Sequence, residues 1–405
     1  MDEQAHSIGR RVRYWRIRRN LDRQQFADMV GRSTSWLDKI EKGERNLLRL
    51  PMLDRVAEVL GVDPAALSDI STARRAARCV DALEVRTIRE ALSRYPSLSA
   101  QDSKQEPTLD RVAKQLQYVD QAWMSSHFTV VVRHLPRLLH EAQMLAYIAQ
   151  PSQQVPATRT LVLAYRLASS VLLKFETNDV AWLAADRAMQ EALAVDDTLA
   201  LARATRSVAR SLASTGQLSS AIDAVTGMAD RMRPELDTRA DELLSLYGML
   251  FLAASIAAAK KEDAATALLM HEQARTAAER LCPGYDMHRT FFGPTNVGLH
   301  RVAALVRLNE PGQALEYAQT IDPESISNLP PERRASYMLD IASAHTQTGR
   351  YPEAARTLID VDRIAPEEVR CRPLSHGLLR AMLRNTGEDT GRAVRRIASQ
   401  AGVTV

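Results

Sequence analysis

Apolar residues recur with helical period along almost the whole chain, and the first sixty residues show it most cleanly. Ile8, Val12 and Trp15 share one face of a first helix; Phe26, Ala27 and Val30 share a face of a second; Leu37 and Ile40 lie on a third; Leu53, Val56, Ala57 and Leu60 lie on a fourth. Punctuation agrees with the period. Asp22 and Ser33 are placed as N-caps, Gly31 stands where a turn between helices needs positive φ, and Gly61 ends the fourth helix. Asp63-Pro64 opens a short fifth helix that closes near Leu67.

Further on, a basic helical stretch from Ala73 to Tyr95 leads into the polar segment PSLSAQDSKQEP, which predicts a flexible hinge over Pro96–Pro107. From Thr108 long Ala- and Leu-rich helices alternate with short breakers, and no segment alternates as a strand does, so the chain is expected to be all-α. The expected organisation is 1–70, a small helical domain; 71–107, a helical linker and hinge; and 108–405, a repeat domain. Repeats are signalled by breakers such as Thr215-Gly216-Gln217 and Thr348-Gly349-Arg350, each followed by an alanine. The series Ala181, Ala221, Ala267, Ala314 and Ala354 has spacings of 40, 46, 47 and 40. Leu109–Tyr147 reads as a divergent first unit and Leu374–Ala401 as a cap.

Composition narrows the function classes. The 405 residues are 45% hydrophobic and 25% charged, with no apolar run that approaches the roughly 20 residues a bilayer demands, and the charged N-terminus lacks a secretory h-region. A cytoplasmic protein with no membrane partner is expected. Cys79, Cys282 and Cys371 lie far apart, which argues against a disulfide framework or a zinc site. No histidine pair has metal-ligand spacing, and there is no Walker loop, nucleophile elbow or dinucleotide fingerprint, so neither a cofactor nor an enzyme is expected. Charge placement says more than the total of +4. Residues 1–62 hold 13 Lys or Arg against 9 Asp or Glu, whereas the remainder holds 40 of each. All the excess basicity sits at one end, as a nucleic-acid-binding module on a neutral carrier would place it.

The run RQQFADMVGRSTSWLDKI from Arg23 to Ile40, continued by EKGER and LPMLDRVAEVLGVDP, resembles the Xre family, the Cro and phage-repressor type of five-helix DNA-binding domain, over residues 6–68. The resemblance implies that the helix Thr34–Lys42 enters the major groove of double-stranded DNA. Thr34, Ser35 and Lys39 are the candidates for base edges. Trp36 either contacts a thymine methyl or packs inside. Arg23 would approach phosphate at a helix N-terminus, and Arg45 and Asn46 would reach backbone. Arg10, Arg11, Arg13, Arg16, Arg18 and Arg19 are expected to give the first helix a dense positive surface.

The later units resemble tetratricopeptide repeats, although their spacing exceeds the ~34 residues of that family. The expected fold class is therefore an all-α chain, a Cro/repressor-type domain followed by a right-handed tetratricopeptide-like α-solenoid. Head and repeats together resemble RRNPP-type peptide sensors and, more closely, the repeat-bearing Xre regulators of actinomycetes, with runs such as AWLAADRAM and FGPTNVGLH. The resemblance implies a homodimer on a near-palindromic operator, a transcription regulator responding to a ligand as in quorum sensing. Aligned on the alanines, the first helices of the units present Arg166 and Lys174, then Arg203, Arg206 and Arg210, then Asn296, His300 and Arg307 to a concave groove. That set predicts an anionic ligand, a peptide carboxylate or a small molecule. The segment from His288 to His300 reads either as a loop at the groove mouth or as a staple between helices. A repeat domain that docks a partner protein without any small ligand is the alternative.

Overall fold

A computed structural model of the chain describes residues 2–44, 50–62, 67, 82–99, 106–236, 240–281, 290–385 and 388–403. Among these the regular structure is helical throughout, and the architecture is a helix-turn-helix head followed by a helical repeat solenoid. In the head, α1 (Asp2–Arg18), α2 (Arg23–Val30), α3 (Thr34–Glu41) and α4 (Leu50–Leu60) surround a core of Val12, Trp15, Phe26, Leu37, Val56 and Leu60. Leu67 joins that core, while the expected fifth helix otherwise lies outside the described residues.

Local chemistry sets the ends of the head's short helices. Asp22 accepts from the Gln25 amide and Gln25 answers on the Asp22 amide, a complete capping box, and Gly31 turns the chain out of α2 at φ 71°. Ser33 caps α3 by accepting from the Trp36 amide. Gly9 supplies what a periodicity argument cannot: a Cβ there would lie 1.9 Å from the Ile40 carbonyl oxygen, so α1 reaches the end of α3 only because that position has no side chain.

The repeat body begins earlier than Thr108. Within the stretch expected to be a linker, α5 (Ala82–Leu92) buries Ile88, Ala91 and Leu92 in the main core, and α6 (Pro96–Ser99) occupies the start of the expected hinge; residues 71–81 and 100–105 lie outside the described set. Helix pairs follow: α7 (Leu109–Met124) with α8 (Phe128–Ile148), α9 (Gln154–Lys174) with α10 (Asn178–Val195), α11 (Thr198–Ser214) with α12 (Leu218–Met232), and α13 (Ala240–Lys260) with α14 (Ala264–Glu279). Then come α15 (Pro294–Arg307) with α16 (Pro311–Ala318), a short α17 (Pro323–Ser327), α18 (Pro331–Gln347) with α19 (Tyr351–Ile364), a short α20 (Pro366–Arg370), and α21 (Pro373–Asn385) with α22 (Glu388–Ala401).

One turn is reused throughout. Ser126, Glu176, Gly216, Glu262, Asn309 and Gly349 each sit at the middle of the turn within a pair, all with φ between 56° and 83°. The fourth residue of the following helix is Val131, Ala181, Ala221, Ala267, Ala314 or Ala354, and all six are 0% exposed. A left-handed residue reverses the chain, and the small residue one turn later lets the second helix close on the first. Because Ser126 and Val131 fit this register, α7 and α8 form a unit of the same kind.

The apolar stretch Leu243–Lys260 in α13 corrects an expectation. It is long and apolar enough to cross a membrane, but 78% of it is buried inside the fold, and its apolarity serves the core that it crosses. The first and last parts of the solenoid touch each other. Ser126 Oγ donates to Glu368 at 3.1 Å, and Glu367 accepts from the Thr129 amide and hydroxyl, both at 2.8 Å. Cys371 is buried; Cys79 and Cys282 lie outside the described residues.

Candidate functional site: helix α3 and a basic groove

Helix α3 is fixed from beneath and open above. Leu37 and Ile40 anchor it in the head core, and Glu41, buried at its end, takes both Nε (2.6 Å) and Nη2 (3.2 Å) of the buried Arg16. Opposite, Ser35 and Lys39 are exposed one turn apart, and Thr34 is half-buried beside them. Trp36 is half-buried against the core, so its indole has a packing role whatever else it touches. Arg23 is exposed but tethered, 3.4 Å from Asp38 and 3.9 Å from Glu41. Arg45 and Asn46 lie outside the described residues. A residue that periodicity did not flag, Arg32, is exposed in the turn and borders a shallow concavity with Ser33 and Trp36.

The dense positive surface expected on α1 is thinner than six arginines suggest. Arg10 and Arg13 are exposed, but Arg16 and Arg18 are buried in ion pairs, and Arg19 donates Nε to the Leu60 carbonyl at 2.9 Å. Arg18 clasps Glu84 of α5 with Nε at 2.8 Å and Nη2 at 3.0 Å, while its guanidinium and that of Arg19 stack over Trp15. These contacts tie the head to α5. That helix is held on the body by its core residues and by Arg89, 2.5 Å from Asp179 of α10.

Within the solenoid a cavity of about 650 Å³ is lined by six of the eight residues expected to face the groove, Lys174, Arg206, Arg210, Asn296, His300 and Arg307. Arg166 instead donates to Asp120 at 2.6 Å outside that lining, and Arg203 is buried without lining it. The register on the alanines reaches the groove but overshoots at the residues that turn toward neighbouring helices. Missed by the sequence reading were Lys260, Arg333 and Arg372, which line the same cavity from near the ends of helices.

The electrostatics are those of crowded cations. Lys174 lies under the rings of Trp123 (5.0 Å) and Phe128 (5.1 Å), reaches Glu332 at 2.7 Å, and also contacts Glu368. Arg372 adds a 2.9 Å bond to Glu368. Burial alone would raise the Glu332 carboxyl, yet Lys174, Arg333 and Arg372 hold it well below its ordinary range. Burial, then Arg333 and other cations, brings Arg210 down to about 10. Arg206 is pushed down by burial and by Arg210, Arg333 and Arg166. His300 donates Nδ1–H to the Asn296 carbonyl at 2.8 Å; burial, with Arg333, Arg206 and Arg307 nearby, drops it to about 3, so the ring is neutral. The segment before α15 works as a staple: Phe292 is buried, and a Cβ on Gly248 would meet its ring at 1.8 Å.

Comparison with known proteins agrees on the head. Residues 7–70 match the helix-turn-helix domain family, so the N-terminal segment is a helix-turn-helix domain. No curated protein matches the chain. Among solved structures, the apo form of the competence regulator ComR from Streptococcus vestibularis aligns at 15% identity and a TM-score of 0.18, over 71% of this chain and 96% of that one. At that TM-score the likeness carries no structural argument.

Proposed function

We propose that this protein is a sequence-specific DNA-binding transcriptional regulator whose solenoid binds an anionic ligand in the basic groove. The observation that carries the first half is the state of α3 within a helix-turn-helix domain. It is a helix capped at Ser33, clamped underneath through Glu41, with Ser35 and Lys39 free to meet base edges. Head and body would be separate domains, in an Xre-type regulator with tetratricopeptide-like repeats. A homodimer on a near-palindromic operator would place two such helices in successive major grooves roughly 34 Å apart. The groove supports the second half, because a peptide carboxylate or another anion is what its arginines are chemically suited to hold. Occupancy would act on the head through α5, where Glu84 grips Arg18 while Ile88 and Leu92 sit in the body core. Such coupling is typically worth 1 to 3 kcal/mol, in proportion to the ligand's differential affinity for the two states.

Selection of random duplexes by the full chain tests this reading. The expected outcome is a motif with two inverted half-sites, about 10 base pairs apart centre to centre, that bind with a steep salt dependence. Retention of duplexes without any enriched sequence would refute it.

A further inference from the structure

Most cations around the groove have an acidic partner: Lys174 and Arg333 share Glu332, Arg372 has Glu368, and Arg307 reaches Asp340 at 3.1 Å. Arg206 and Arg210, one turn apart on α11, have none within ion-pair reach among the described residues. Arg210 gives Nη1 to Ser170 Oγ at 3.1 Å, while the Nε of Arg206 is buried without a hydrogen bond. Among the described residues Lys260 makes a single 3.3 Å bond, to the Ala213 carbonyl. A guanidinium does not escape repulsion by losing its proton under physiological conditions. The fold therefore keeps uncompensated positive charge in a partly enclosed space, a cost in stability of the kind that functional sites carry.

Charge and shape limit what can relieve it. Seven cations line the cavity against Glu176, Glu332 and Asp340, with Glu368 directly behind, an excess of three. One carboxylate would leave most of that excess standing, and a free peptide would bring its own ammonium. The contacts of Ser126, Thr129 and Lys174 with Glu332, Glu367 and Glu368 join the two ends of the solenoid, so the groove is partly enclosed. Its volume of about 650 Å³ suits a compact molecule. Leu252, Ile256 and Leu299 supply an apolar wall, and Asn296, 1% exposed, holds its Oδ1 there without a donor.

Resting on the reading of the groove as a ligand site, we infer that its ligand is a compact oxyanion with at least two negative charges, a phosphate ester or a polycarboxylate. It seats its charged group on Arg206 and Arg210, rests a short apolar part against Leu252 and Leu299, and gives a hydroxyl or N–H to Asn296. An extended peptide with a single carboxylate is not the occupant.

The test uses the full chain at fixed ionic strength, with calorimetric titration of inorganic phosphate, citrate and tri-alanine at millimolar concentrations. Wild type is compared with Arg206→Gln and with Arg356→Gln, an exposed site on α19. Phosphate or citrate should bind wild type and Arg356→Gln alike, and roughly ten- to a hundredfold more weakly to Arg206→Gln, the loss of one charge-assisted contact. The stronger of the two names the source. Ligand-free Arg206→Gln should melt above wild type, because it removes repulsion without opening an ion pair. Failure of both oxyanions to bind wild type overturns the inference. If tri-alanine alone binds, and depends on Arg206, the groove stands as a ligand site but the ligand class is wrong. If no probe binds and Arg206→Gln melts below wild type, Arg206 is a structural residue and the ligand-site reading falls with it.

Discussion

Replacing Glu41 by glutamine should loosen α3 far more than its conservative chemistry suggests. Glu41 has a side chain only 4% exposed and takes both arms of Arg16, whose own side chain is 8% exposed and whose third nitrogen is spent on the Leu21 carbonyl at 2.8 Å. Glu41→Gln keeps the volume but leaves the guanidinium buried without its counter-charge. Arg23, at 3.9 Å and about half exposed, belongs to the same carboxylate and cannot substitute for it. Breaking one side of such a pair costs about 3–5 kcal/mol. A domain the size of this head holds roughly 3–10 kcal/mol in all, so the variant spends much of its time with α3 undocked. Hydrogen exchange of α3 amides in the full chain reads this directly, with acceleration of roughly a hundredfold or more. The double replacement Arg16→Met with Glu41→Leu removes both charges and should recover most of the protection. Acceleration under tenfold in Glu41→Gln, or a double variant no better than the single one, would refute the reasoning.

Three other perturbations follow from the same contacts. Gly9→Ala puts a methyl 1.9 Å from the Ile40 carbonyl and should cost about 1–3 kcal/mol of head stability by overpacking; a melting curve indistinguishable from wild type would show that α1 can shift freely. Glu262, exposed in a turn at φ 63°, should become more stabilising as glycine by about 0.5–1 kcal/mol, visible as a higher urea midpoint, whereas a lower one would show that the side chain makes a compensating contact. His300 is depressed in the fold to about 3 from an ordinary 6.5, so its contribution is fully present above pH 6.5 and is lost as pH falls toward 3. Wild type should therefore lose up to about 1.4 kcal/mol per pH unit more than His300→Gln between pH 6 and 4, and parallel profiles would exclude the histidine as the source.

What the sequence made legible was local. Asp22, Gly31 and Ser33 act within one turn of where they stand, and the alanine series marks second helices because every one of those positions is fully buried. The turns between paired helices were half visible. Gly216, Gly349 and, more weakly, Asn309 announce a left-handed residue, while Ser126, Glu176 and Glu262 adopt the same backbone without a compositional sign. Long-range pairing was illegible for a physical reason: the six arginines on and just after α1 look alike in sequence, and only folding brings Glu41, 25 residues away, to Arg16 and Glu84, 66 residues away, to Arg18. In the groove, the register placed Arg206, Arg210, Asn296, His300 and Arg307 on the concave side. It could not show that Arg166 is engaged by Asp120, or that ring closure brings Arg372 to the same wall.

The central claim is that the open face of α3 reads DNA. A photoreactive side chain substituted at Ser35, irradiated with a duplex recovered by selection, tests it directly against the same group at Glu58, exposed on α4. Crosslinks from position 35 to bases within one half-site, with few from position 58, are the predicted result. Crosslinks from position 58 alone, or an equal yield from both, would mean that another surface of the head meets the duplex.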